Sequence, residues 1–240
     1  MTMNYPRFPA SLALPVQPVA TSSTHSAPDA PYASIAPSTG PYRRVFKRAL
    51  DVAAVLCAAP IIVPLIAGLA VFVAFDGGSP FYAQERVGKN HRVFRMWKLR
   101  SMVTDADARM ESCLASDPAI RREWDETQKL KNDPRITSFG RMIRKCSLDE
   151  LPQLWNVLIG DMSLVGPRPM MTSQQALYPS TVYYRLRPGI TGYWQVSGRN
   201  DTSFAARATF DAAYDADLSL RTDLSILLRT VRTVLHGTGY

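Results

Sequence analysis

With 240 residues, a formal net charge of +8 and 46% hydrophobic residues, the chain can hold one ordinary domain with appendages and is too apolar to be disordered throughout. Its three cysteines, Cys57, Cys113 and Cys146, are odd in number and include no C-x-x-C pair, which argues against a disulfide framework or a zinc site and fits a reducing compartment. The basic excess calls for a polyanionic partner: nucleic acid, an anionic membrane surface or phosphorylated substrates.

Residues 1–42, rich in Pro, Ser, Ala and Thr, carry only Arg7 and Asp29 as charges. Repeated prolines oppose helix and central strand alike, so this stretch is expected to be a disordered tail. It lacks the basic start and unbroken apolar stretch of a signal peptide.

Residues 43–78 contain an uncharged run, 52–75, longer than the roughly 20 apolar residues a helix needs to cross a bilayer. A spanning helix, a buried core helix and a re-entrant membrane segment compete. Pro60 and Pro64 sit mid-run, where lipid cannot replace the hydrogen bonds they remove. Arg43, Arg44, Lys47 and Arg48 precede the run, and Arg86, Lys89, Arg92, Arg95, Lys98 and Arg100 follow it. Basic flanks stay cytoplasmic, so a segment with both ends on one side satisfies both flanks.

Residues 79–240 read as a mixed domain. "PFYAQERVGKNHRVFRMWKLRSM" predicts two strands around a Gly-Lys-Asn-His turn. Residues 105–130 predict helix with a break near Asp117-Pro118, and "LPQLWNVL" a short helix. "RLRPGITGYWQVSGRND" is rich in Gly and Pro and is expected to be ordered loop. Over residues 222–235, Leu224, Leu227, Leu228, Val231 and Leu235 recur at helical spacing beside Arg221, Arg229 and Arg232. Two readings stand: a helix packed on the core, or one lying in a membrane interface.

The chemistry-bearing candidates begin at "SLDELPQLWNVLIGDMSLVGPRP", residues 147–169. Ser147 to Glu150 fits the S-x-x-E capping box, but a helix starting nearer Asp149 seats Pro152 better in its first turn. Asp149 and Glu150 would then lie at the positive helix end, ionised and fit for a nucleophile or metal ligand. Pro167 and Pro169 fix the backbone around Arg168, whose guanidinium suits a phosphate. Arg187 and Arg199 lie in Gly-rich loops open to an anion, and Lys98 and Arg100 end a predicted strand. The triplets Asp105-Ala106-Asp107 and Asp215-Ala216-Asp217 could hold a divalent ion, but their helical, charged context favours a solvated face. His25, His91 and His236 have no ligand spacing, and neither a P-loop nor a G-x-G-x-x-G motif occurs.

Together, "FKRALDV", "ERVGKNHRVFRMWKLRSM", "DPRITSFGRMIRKCSLDELPQLWNVLIGDMSLVGPRP" and "RPGITGYWQVSGR" resemble the bacterial sugar transferases, the monotopic polyprenyl-phosphate phosphoglycosyl transferases, over about residues 43–240. The overall look is similar to the exopolysaccharide-initiating members. The resemblance implies an α+β, mostly helical fold. A re-entrant membrane helix would precede a small cytoplasmic α/β domain with a short β-hairpin and interfacial amphipathic helices. It implies transfer of a sugar-1-phosphate, galactose or glucose, from a UDP-sugar to undecaprenyl phosphate with release of UMP and use of Mg²⁺. Asp149 would be the nucleophile and a metal ligand, with Glu150 assisting. Lys98, Arg100, Pro167, Arg168, Pro169, Arg187 and Arg199 would meet substrate. The family's break often has Ser before its proline; here Val63 precedes Pro64. The expected partners are the lipid bilayer, a second copy or other polysaccharide-assembly enzymes, and no nucleic acid. The expected place is the bacterial inner membrane, facing the cytoplasm. A metal-dependent glycosyltransferase moving the sugar alone, or a non-catalytic basic membrane adaptor, are the rivals; the released nucleotide separates the first and turnover the second.

Overall fold

The computed structural model describes residues 39–75, 77–127, 130, 133–197 and 204–235. The tail expected over 1–42 therefore lies almost wholly outside the described residues, as do Arg199, His25 and His236.

After a π-type turn at Tyr42–Phe46, helix α1 runs over Lys47–Ala74. The break expected near Pro60 and Pro64 is not present as a break: both prolines lie inside one continuous helix. They delete two N–H donors from its hydrogen-bond ladder without ending its course. The helix is long and apolar enough to cross a membrane, and Leu56, Ile61, Val63, Val71 and Phe72 are exposed along it.

Both ends of α1 pack on the same domain. Near its start, Asp51 accepts from Ser163 Oγ at 2.7 Å and from the Leu164 amide at 3.2 Å. Val55 joins a core cluster with Phe94, Met96, Val157 and Met162. Near its end, Leu69, Ala70 and Val73 pack on Leu99 and Ile143. Tyr42, grouped with the tail by composition, donates its hydroxyl to Asp223 at 2.7 Å, and Lys47 Nζ reaches the same carboxylate at 2.7 Å.

The expected hairpin forms. Strand β1 (Phe81–Val87) pairs antiparallel with β2 (Val93–Leu99), Phe81 opposite Leu99 and Val87 opposite Val93. Asn90 and His91 take positive φ in the turn, a conformation Asn and His adopt more readily than most residues. The His91 ring stacks on Tyr184.

Helix α2 spans Ala106–Ser116 and α3 spans Pro118–Thr127. The predicted break between them has a cause: the Asp117 carboxylate accepts the Ala119 amide at 2.7 Å, starting a new helix with Pro118 at its first position. Thr137 likewise accepts the Gly140 amide and opens α4 (Ser138–Lys145). A side chain at Gly140 would strike the Ser101 backbone, so this crossing requires glycine. Helix α5 covers Gln153–Ile159.

Strand β3 (Ser163–Val165) pairs in parallel with β4 (Gly189–Thr191), followed by the short helix α6 (Tyr193–Ser197). This corrects the expectation of a loop in "RLRPGITGYWQVSGRND". Gly166 and Gly189 let the two backbones touch, and that tertiary pairing, rather than propensity, makes the strand.

Helices α7 (Arg207–Asp217) and α8 (Leu220–Leu235) complete the chain. Asp215 was expected on a solvated face. It is instead 1% exposed and paired with Arg43 and Arg185. Helix α8 packs through Asp223, Ile226 and Leu227, but Leu220, Leu224, Leu228 and Val231 are exposed beside Arg221 and Arg229. The core reading thus holds for one face only; the leucine stripe lies outside the core.

Candidate active site

Asp149 lies in a 3-10 turn, Leu148–Glu150, that precedes α5 rather than in the first turn of the helix. Ser147 has φ of 56° and makes no side-chain cap, so the capping box suggested by the sequence does not form. Pro152 is the residue just before α5, where its missing N–H costs nothing.

Asp149 is 7% exposed. Burial pushes its carboxyl above the usual carboxylate range. Lys98 pulls it down, Glu150 pushes it up, and Arg144 pulls it down again. An ionised group favoured by a helix terminus was expected; the structure instead gives a desolvated carboxyl that depends on two neighbouring cations. Lys98 Nζ lies 2.7 Å from Glu150 Oε1, so the predicted Asp149, Glu150 and Lys98 do come together.

A buried amide fixes this arrangement. Asn156 is fully buried; its Oδ1 accepts the Trp97 amide at 3.0 Å, and its Nδ2 donates to the Arg95 carbonyl at 2.7 Å. α5 is thereby clamped to β2 on either side of the residue preceding Trp97, which sets where Lys98 emerges.

Strand alternation places Tyr82, Gln84 and Arg86 of β1 on the same face as Phe94, Met96 and Lys98 of β2. Arg86 carries that face toward the Pro-Arg-Pro turn, where its Nη1 donates to the Pro169 carbonyl at 3.2 Å. The Pro167 carbonyl accepts from the Gly189 amide at 2.8 Å, so the turn around Arg168 is fastened from both sides. Arg168 is exposed, and its guanidinium lies 5.8 Å from the Trp194 ring centre. Burial pulls Arg86 down to about 10, with Arg168 pushing the same way, and Glu150 acts against this, so the two parts of the site feel one another.

Two predicted contacts have other employment. The Arg100 guanidinium binds the carbonyls of Val73, Gly77, Ser79 and Met102, tying the exit of α1 to the hairpin. Arg187 Nε donates to the Gly160 carbonyl at 3.0 Å, while Arg48 takes the carbonyls of Val157 and Leu158. Together they satisfy the C-terminus of α5, where cations are favoured. These arginines hold the site's frame.

Sequence reasoning did not single out Arg86, Arg144, Asn156 or Trp194. Arg86 was open to discovery, since it shares its strand face with Lys98. Arg144 carried no local signal.

An apolar groove of about 390 Å³ runs between α1 and α5 beside the carboxylates, lined by Val55, Ile62, Trp97, Leu151, Pro152 and Trp155 among others. Among the described residues no three His, Cys, Asp or Glu side chains gather as a metal cluster. Asp149 and Glu150 offer two adjacent carboxylates, the number that Mg²⁺ takes from protein while phosphate oxygens and water complete its shell.

Comparison with known proteins places this geometry. The bacterial sugar transferase family matches residues 42–237. A UDP-galactose-lipid carrier transferase of Erwinia amylovora is 48% identical over 198 residues, 82% of this chain and 42% of that protein. An undecaprenyl-phosphate galactose phosphotransferase of Salmonella typhimurium is 46% identical over the same shares. The exopolysaccharide production protein ExoY of Sinorhizobium fredii is 42% identical over 208 residues, 86% of this chain and 91% of that protein. The chain thus spans about two fifths of the length of the first two relatives and nearly all of the third. The match runs from the turn that opens α1 to the end of α8 and takes in every residue of the site just described: this chain belongs to the bacterial sugar transferase family.

Proposed function

We propose that the protein transfers a sugar-1-phosphate from a UDP-sugar, with galactose the first candidate, to undecaprenyl phosphate and releases UMP, as a membrane step in exopolysaccharide assembly. The names of the relatives support the donor and acceptor classes. The observation that carries the chemistry is a buried Asp149 flanked by Glu150, Lys98 and Arg144, beside an apolar groove and an arginine-bearing turn.

In this reading an Asp149 carboxylate oxygen attacks the phosphorus nearest the sugar. A phosphorus–oxygen bond forms, the bond to the bridging oxygen breaks, and UMP leaves with that electron pair. An oxygen of undecaprenyl phosphate then attacks the same phosphorus and frees the carboxylate. Lys98 and Arg144 pull the Asp149 carboxyl down against its burial and so favour the charged nucleophile, and Arg168 would hold phosphate oxygens. Asp149 and Glu150 would hold Mg²⁺, which when bound offsets the repulsion between carboxylate and diphosphate.

In this reading the protein is monotopic in the bacterial inner membrane with its domain on the cytoplasmic face; the contacts of α1 support the monotopic part, and the basic flanks support the cytoplasmic side. A helix whose first and last thirds both pack on one domain keeps both ends on that domain's side. A perpendicular crossing would drag the hairpin and α4 into lipid. The exposed apolar side of α1, with Trp155 and Ile159 of α5 and the leucine stripe of α8, offers surface to the bilayer. The groove between α1 and α5 suits the acceptor's isoprenoid chain.

Isotope exchange between labelled UMP and UDP-galactose, without any lipid acceptor, tests the reading. Exchange is expected, because the covalent intermediate splits the reaction in two. Release of UDP in place of UMP in the full reaction would overturn it in favour of simple glycosyl transfer.

A further inference from the structure

Behind the Pro-Arg-Pro turn, two guanidiniums meet at one indole and a third lies close to them. Arg207, the first residue of α7, lies 4.1 Å from the Trp194 ring centre and 4.7 Å from that of Phe204. Arg168 approaches the same indole at 5.8 Å and lowers the basicity of both Arg86 and Arg207, and Arg86 stands close enough to lower that of Arg207 as well. Burial and these like charges pull Arg207 down to about 10. The three cations are not equivalent. Arg86 is engaged by Pro169 and by Gln84, whose Oε1 accepts from its other arm. The buried Nε of Arg207, like that of Arg86, has no hydrogen-bond partner among the described residues.

Among the described residues, one acid lines the same small space as Arg168 and Arg207. Asp211, one turn along α7 from Arg207, accepts the Tyr178 hydroxyl at 2.6 Å. Burial pushes its carboxyl up to about 7, against the pull of Tyr178 and Arg207, so at neutral pH it supplies only part of one negative charge. Among the described residues, three guanidiniums then face Asp211 and Glu150 alone, and positive charge is in excess. The space beneath Arg168 and Arg207 is nearly full, about 10 Å³, so nothing as large as a base fits inside and an anion could be met only at its rim.

We infer that Arg207, which lies over Trp194, is a phosphate-binding residue of the donor site and works with Arg168 to grip the diphosphate of the nucleotide-sugar. The indole holds both guanidiniums at one small space, and its contact and that of Phe204 pre-organise Arg207. The inference rests on the proposed reaction and adds a residue to its donor site. A phosphate anion also belongs to the lipid acceptor. The assignment to the donor follows from the small rim site lying away from the apolar groove: none of the residues lining one lines the other.

The test is UDP binding by calorimetry to the full-length protein in detergent, for wild type, Arg207→Ala and Arg207→Lys. Turnover with UDP-galactose and undecaprenyl phosphate is measured alongside. Loss of a charge-assisted contact should weaken UDP roughly tenfold or more in Arg207→Ala, with the KM for the lipid acceptor within about twofold of wild type. Arg207→Lys keeps the charge but not the guanidinium's contact with the two rings, and should fall between the two; it also serves if the alanine variant fails to fold. UDP affinity unchanged in a folded variant, a rise in the acceptor KM alone, or wild-type protein that does not bind UDP would each overturn the inference. Wild-type protein that binds UDP yet forms no UMP would instead overturn the proposed reaction, and the effect of Arg207 on UDP affinity would still decide this assignment.

Discussion

Lys98 Nζ lies 2.7 Å from Glu150 Oε1, and the same ammonium group pulls down the carboxyl of the neighbouring Asp149. One cation therefore serves two adjacent carboxylates, and its removal has a sign that can be read in a pH profile. Without Lys98 the Asp149 carboxyl rises further, so a larger share is protonated at a given pH. Lys98→Met should lower kcat and move the acid limb of the kcat profile to higher pH. A limb that stays in place would separate Lys98 from the ionisation of Asp149.

Asp149→Asn removes a desolvated charge and keeps the shape of the side chain. The variant should fold with the same or a higher Tm, because burial disfavours the charged form it replaces. Activity should fall by about a thousandfold or more, and UMP exchange with UDP-galactose should vanish. A folded, fully active variant would leave the pair with a purely structural role.

Asn156→Ala should strip the Trp97 amide and the Arg95 carbonyl of their buried partner. Leaving two buried backbone groups unpaired costs about 3 kcal/mol, measurable by denaturant unfolding. Because the same amide fixes where Lys98 emerges, kcat should fall in the residual folded protein. Stability within about 0.5 kcal/mol of wild type would contradict the clamp.

Asp211 links stability to pH. Its folded carboxyl sits at about 7, above the ordinary carboxylate value it regains on unfolding. The folded state then binds more protons than the unfolded state between these values, so the contribution of this group is fully present below the unfolded value and is lost as pH rises through about 7. The Tm should fall as pH is raised from 5 to 8, and Asp211→Asn should flatten that fall. An identical slope in the variant would exclude Asp211 as its source.

The helix α1 carries a topological prediction. Single cysteines placed at Pro41 and at Ser79, in a background lacking the native ones, should both resist a membrane-impermeant reagent added from the periplasm. Both should react once the membrane is opened. Periplasmic labelling at Pro41 alone would show a spanning helix. Replacing Pro60 and Pro64 with Leu restores two backbone donors and should shift the population toward spanning.

Local chemistry in the sequence determined much of this protein. The apolar run with basic flanks is α1, the Gly-Lys-Asn-His turn is the hairpin, and Asp117-Pro118 starts a helix because aspartate caps and proline tolerates the first position. The adjacent carboxylates and the Pro-Arg-Pro turn were visible because each needs only neighbouring residues. Tertiary structure decided the rest. Whether Asp149 caps a helix or lies buried between Lys98 and Arg144 depends on β2 and α4, far away in sequence. The motif around Gly189 gained a strand because Gly166 comes to meet it. Arg100 and Arg187 look like anion ligands in their own segments, yet backbone carbonyls at the ends of α1 and α5 occupy them. Asp215, on a helix of mixed charge, became a buried ion-pair partner because Arg43 and Arg185 converge on it. A guanidinium or a carboxylate takes its role from the charges and unpaired groups that folding brings within a few ångströms, and a local sequence pattern names the group without naming those neighbours.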